Sequence, residues 1–240
     1  MFLRNFLNFI SQFSENINKQ IRKVYLESSF YNKKISKISN EKLIYKPSPH
    51  LLSSLIKYQK QKINVNIIST ENLWDNKNIN NENFKRLNNF YWFFTLDLKS
   101  SKDITQKIIS DWINKNHKYN SKSWEFDLTS KRIISWLSNH SLTIDGSSKD
   151  YLDIFNGMIQ KQTNHLINEI NNSKNIHNKM IGCAAIILVG LSYKDKKKYI
   201  SYGLSLLKKI SNSTFDNYGF TKSRSIKQLI FYLKYFILIR

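Results

Sequence analysis

Glycine and proline are nearly missing from this sequence, with six and two residues in 240. Sandwiches and barrels use such residues at their turns, so the shortage argues for helices joined by polar Asn, Ser and Lys connectors. Cysteine is rarer still. The lone Cys183 excludes an internal disulfide and any cysteine-based zinc site, and its place in the run MIGCAAIILVGL reads as a small core residue. Acidic residues are also few, 17 against 38 basic ones, giving a formal net charge of +21. Lysine carries most of that charge; arginine stands only at positions 4, 22, 86, 132, 224 and 240. Lys, Asn and Ile are enriched together, as A/T-rich coding produces. Whatever its origin, such a field attracts polyanions: nucleic acid, acidic polysaccharide or a membrane surface.

Motifs of common chemistries are missing as well. There is no P-loop, dinucleotide fingerprint, HExxH or nucleophile elbow. His50, His117, His140, His165 and His177 do not fall at metal-ligand spacing, and no paired carboxylates stand out for glycoside hydrolysis. No metal or cofactor is therefore expected. Any chemistry here would use His, Tyr, Asn or Arg.

What is present is a core. Hydrophobic residues make up 41% of the chain and aromatic ones 14%, which excludes a disordered polymer. At the N-terminus, Phe2, Leu3, Phe6, Leu7, Phe9, Ile10 and Phe13 recur at helical spacing with polar residues between them. That pattern lacks the continuous apolar stretch of a secretory signal and is too short and polar to span a bilayer. It reads either as an amphipathic helix packed on its own domain or as an interfacial anchor. No transmembrane segment appears elsewhere, and the compartment, cytoplasm or periplasm, is left open.

Residues 1–80 read as one or two helices followed by an irregular lead-in. The stretches KISKISNEKLIYKPSPHLL and KINVNIISTENLWDN predict a few short strands there. Residues 81–240 read as about six amphipathic helices. The first is NENFKRLNNFYWFFTLDL; the second, capped by Ser101 or Asp103, carries Ile104, Ile108, Ile109, Trp112 and Ile113. Asp127 is expected to cap a third, in which Ile133, Ile134, Trp136 and Leu137 face inward. The run NKMIGCAAIILVGLSY should be the most buried helix. This order predicts a mainly all-α chain of antiparallel helix pairs.

From residue 90 to 240 several short motifs stand in a fixed order: NFYWFFTLDL, IISDWINKN, FDLTSKRIISWLSNH, QTNHLINEI, AAIILVGLSY, GLSLLKKI and DNYGFTKSRS. In that order they resemble heparinase II/III-like polysaccharide lyases of the alphaproteobacterial type. The resemblance implies an incomplete (α/α) toroid over 81–240, followed in full-length members by a β-sandwich that this chain is expected to lack. It implies β-elimination on a uronic acid-containing, glycosaminoglycan-like polysaccharide. A base takes the C5 proton, the sugar carboxylate is neutralised, and an acid assists departure of the 4-linked oxygen.

Carried over by residue, the resemblance implies that His177 and Asn178 contact the carboxylate, although the family's order is Asn-His. The alternative is that Asn175 or Asn178 caps the helix and His177 faces solvent. The family's catalytic tyrosine falls near Gln228, where none stands, so Tyr218 is the candidate in its place. A further histidine belongs to the β-sandwich, which leaves the catalytic set incomplete. Arg132 and Arg224 are candidates to pair with carboxylate or sulfate, and Trp92 and Trp124 to stack on sugar rings. For Arg132 a pair with Asp111 or Asp127 is the alternative; Trp112 and Trp136 read as core. The expected partner is an acidic polysaccharide. A non-catalytic basic module holding a polyanionic glycan or a protein is the second reading. Nucleic acid is not expected, because the lysines are spread over nearly every helix and connector.

Overall fold

The computed structural model describes residues 2–37, 43–47, 73–75, 79–97, 99–194 and 197–240, with side chains from Phe13 onward apart from residue 15. These residues form α1 (Phe2–Glu27), α2 (Ser29–Ile35), α3 (Asn81–Asn88), α4 (Lys102–Asn116) and α5 (Phe126–Ser138). The one-turn α6 (His140–Thr143) follows, then α7 (Lys149–Glu169), α8 (Ile176–Ser192), α9 (Lys197–Thr214) and α10 (Ile226–Leu238). Among the described residues there is no strand; isolated bridges join Leu43 to Tyr193 and Phe215 to Thr221. Most of the two stretches expected to form short strands lies outside the described residues. Their described part holds the end of α2, one bridge and a turn at 73–75.

Polar side chains do the punctuation that glycine and proline do elsewhere. Ser28, Asn80, Ser101, Ser148, Asn175 and Ser225 each accept a hydrogen bond from a first-turn N–H of the helix that follows. Such a cap is worth about 1 kcal/mol. Asp127 is not one of them. The helix starts two residues earlier than a cap at Asp127 implies, so Asp127 sits in the first turn of α5 and pairs with Lys131 at 3.0 Å. Its charge there still favours the positive end of the helix.

The expected helix through NENFKRLNNFYWFF is also broken. After α3, Phe90 takes a left-handed backbone, φ 59°, and the chain continues as a 3-10 turn over Tyr91–Thr95. A bulky residue holds that conformation only when its surroundings fix it. Here they do: the fully buried Phe90 ring meets Trp74, Phe93, Trp112 and Trp136 at centroid distances of 5.1–6.1 Å.

The apolar α8 is the hub, as its sequence predicts. It packs against α5, α7, α9 and α10, and every residue from Met180 to Gly190 is buried. Glycines allow the closest approaches. A Cβ on Gly182 would collide with Phe126 of α5, and one on Gly203 of α9 would collide with Ile187 of α8. The N-terminal part docks onto this body rather than standing apart. Arg22 pairs with Glu169, Tyr31 and Ile35 are fully buried, and the Ile44 N–H donates to the Ser192 carbonyl at 2.8 Å.

Candidate functional site

The richest stretch of the sequence, residues 124–140, belongs to the core. Arg132 is fully buried on α5, and all five of its N–H groups are used. Nε donates to Gln162 Oε1 at 3.1 Å, Nη1 to the carbonyls of Asn88 and Ser123, and Nη2 to the Ser123 carbonyl and Thr129 Oγ1. Its guanidinium lies 3.9 Å from the centre of the Trp112 ring, whose Nε1–H donates to Asn88 Oδ1 at 2.8 Å. No carboxylate takes part. Asp111 pairs with Lys107 and Asp127 with Lys131, so neither reading of Arg132 made from the sequence holds. It is a buried cation among neutral acceptors, and burial draws its pKa well below the usual guanidinium range.

Trp124 is corrected in the same way. Only 1% exposed, it donates to the Asn116 carbonyl at 3.0 Å and stands edge-on to His165. Trp92 keeps partial exposure, but its indole N–H donates to the Leu87 carbonyl and its ring packs edge-on against Phe93 at 4.5 Å. Neither lines a groove with Arg132.

Sequence reasoning passed over a second buried polar centre. The Tyr31 hydroxyl of α2 donates to His165 Nδ1 of α7 at 2.8 Å, and His165 Nε2 donates to the Trp124 carbonyl at 3.1 Å. Both ring nitrogens are thus satisfied by the neutral imidazole. Burial pushes the His165 pKa down to about 3, opposed by the Trp124 hydrogen bond and assisted by Arg132 and Arg22. Burial likewise raises the Tyr31 pKa, with Glu169 adding to the effect. The two residues are 134 apart in sequence, and no local pattern couples them.

The remaining candidates gather at the opposite end of the chain. Asn175 Oδ1 accepts from the N–H groups of His177 and Asn178, so Asn175 is the cap. His177 is half-buried: its ring meets Phe231 at 4.7 Å and stacks on Tyr232 at 5.8 Å. Asn178 is half-buried beside it. Between α9 and α10, the sequence DNYGFTKSRS builds a tight turn around Asp216. Its Oδ1 accepts from the N–H groups of Tyr218 and Phe220 at 2.9 and 3.0 Å, and Gly219 takes the required left-handed φ of 79°. Arg224, itself left-handed at φ 55°, reaches back to Asp216 Oδ2 at 2.8 Å. Partial desolvation of the Asp216 carboxyl is outweighed by these hydrogen bonds and by Arg224, so its pKa falls below the ordinary value.

This turn borders an open cleft of about 580 Å³ lined by Asn212, Phe215, Asp216, Tyr218, Lys222 and Arg224 among others. The Tyr218 side chain is 86% exposed at its edge. Phe215 packs against Tyr232 at 5.4 Å, which joins the cleft wall to the ring that covers His177. The structure thus brings Tyr218 and Arg224 to one cleft, while His177, Asn178, Arg132, Trp124 and Trp92 are not among its lining residues. An exposed ring, amides and two cations suit hydrogen bonding, stacking and charge pairing. Among the described residues, no three His, Cys, Asp or Glu side chains converge as a metal site would require. Comparison with known proteins finds no matching family model, no matching curated protein and no matching solved structure.

Proposed function

We propose that this chain binds a uronic acid-containing acidic polysaccharide at the 212–224 cleft. In this reading it is the helical part of a heparinase II/III-like lyase, an incomplete (α/α) toroid. The observation that carries the proposal is the exposed Tyr218 ring, on a hydrogen-bonded turn at the cleft edge with Arg224 and Lys222 nearby. A flat aromatic surface suits the apolar face of a pyranose, while a guanidinium pairs with a carboxylate or sulfate. The excess of positive charge over the whole chain supports a polyanionic ligand.

Binding rather than elimination is the activity assigned to these residues alone. Elimination needs a base, an acid and a carboxylate-neutralising group at one sugar. His177 is packed under Tyr232 and Phe231, and the Arg132 donors are all occupied. The test is calorimetric titration with uronate oligosaccharides, neutral oligosaccharides and duplex DNA. The reading expects binding to the uronate ligand only, weakened about tenfold by Tyr218→Ala, as losing one aromatic contact implies. It also expects no rise in unsaturated-uronate absorbance when the chain alone is incubated with polymer. Equal affinity for duplex DNA, or binding unaffected by Tyr218→Ala, would defeat it.

A further inference from the structure

The last turns of α1 carry two opposed faces. Toward the helical body point Leu26, 6% exposed, and Arg22, which pairs with Glu169. At 100° per residue, Ile17, Ile21 and Val24 fall about 150° away from that side. They are 43, 63 and 70% exposed, and Phe30, beside Tyr25 at the start of α2, is 69% exposed. The same three- and four-residue spacing of apolar residues runs back through the sequence to Phe2. A helix that docks by one edge and turns its apolar stripe outward is shaped to enter something else.

Charge selects the occupant. Residues 13–37 contain Lys19, Arg22, Lys23, Lys33, Lys34 and Lys37 against Glu15 and Glu27. Lys23 on α1 and Lys33, Lys34 and Lys37 on and just after α2 are exposed, with Lys34 Nζ 3.4 Å from the Tyr25 hydroxyl, and the body behind them belongs to a chain of net charge +21. Such a surface repels a second copy of itself and attracts an anionic sheet. No described helix is long and apolar enough to cross a membrane, so α1 would lie in the plane of the interface. We propose that α1 and α2 form a peripheral membrane-binding surface, with Ile17, Ile21, Val24 and Phe30 entering the headgroup boundary of an anionic bilayer and the lysines meeting its phosphates.

The experiment is co-sedimentation of the full chain with phosphatidylcholine vesicles, with and without phosphatidylglycerol. It compares the wild type with the double variant Ile17→Ser/Ile21→Ser and the triple variant Lys23→Gln/Lys33→Gln/Lys34→Gln. Because both sets of side chains are exposed, circular dichroism and the thermal midpoint should match the wild type. Binding is expected with phosphatidylglycerol only and should weaken as salt rises. The double variant should lower partitioning by about a hundredfold, as losing two buried isoleucines implies. The triple variant should abolish the preference for anionic vesicles. The proposal is overturned by no binding, by equal binding to neutral vesicles, or by a double variant that binds like the wild type. It is equally overturned if the wild type dimerises in vesicle-free solution and the double variant does not, since the stripe would then join two copies.

Discussion

Two arginines looked alike in the sequence, and the fold treats them in opposite ways. Arg132 enters the core, where backbone carbonyls from the α3 end and the 120s loop converge with Gln162 and Thr129 on its five donors. Arg224 stays 66% exposed, paired with Asp216 and with an open cleft beside it. The first holds helices together; the second leaves much of its guanidinium open to solvent at the cleft. A cation's role is therefore set by how many acceptors the backbone brings to it, which residue type alone does not reveal.

The sharpest way to break this contrast is Arg132→Ala. It strands the Asn88 and Ser123 carbonyls in the core and opens a cavity beside Trp112, so a loss of about 3–5 kcal/mol is expected in urea denaturation. A loss below about 1 kcal/mol would show that the guanidinium is not structural. The second buried centre gives a pH test. The folded-state pKa of His165, near 3, lies below the ordinary histidine value of 6.5, so between those values the unfolded chain binds a proton that the folded chain refuses. His165 thus contributes full stability above pH 6.5 and loses it as pH falls, by up to about 1.4 kcal/mol per pH unit. His165→Gln should flatten that slope relative to the wild type, measured by denaturation at a series of pH values. Tyr31→Phe, which leaves His165 Nδ1 unpaired in the core, should cost about 1–2 kcal/mol.

The smallest stability effect belongs to the exposed arginine. Arg224→Gly relieves a left-handed backbone and removes an exposed ion pair, two terms of opposite sign that leave a net change below about 1 kcal/mol. Uronate binding should nevertheless fall about tenfold in calorimetry. If Arg224→Gly unfolded the chain as strongly as Arg132→Ala, the contrast between the two sites would collapse.

Local chemistry explains which features were legible in advance. The stripe of Ile108, Ile109, Trp112 and Ile113, the apolar run of α8 and the inward set on α5 were readable because helical periodicity is a local signal. The break at Phe90 was not readable, because aromatic packing from the distant Trp74, Trp112 and Trp136, with Phe93, holds that backbone. Arg132 was ambiguous for a related reason: two of its acceptors are main-chain carbonyls, which every sequence has. Tyr31 and His165 meet only because α2 docks on α7. Of the candidate site, Tyr218 and Arg224 were found together because one short turn carries both. His177 and Asn178 were found as the start of α8, but the rings that cover His177 come from α10.

The most direct test follows backbone and side-chain N–H signals by NMR while a uronate oligosaccharide is added. Shifts are predicted in residues 212–224, with the Nε1–H of Trp112 and Trp124 and the Nε–H of Arg132 unmoved. Early, saturable shifts at those three buried N–H groups, with residues 212–224 silent, would contradict the division between scaffold and binding surface.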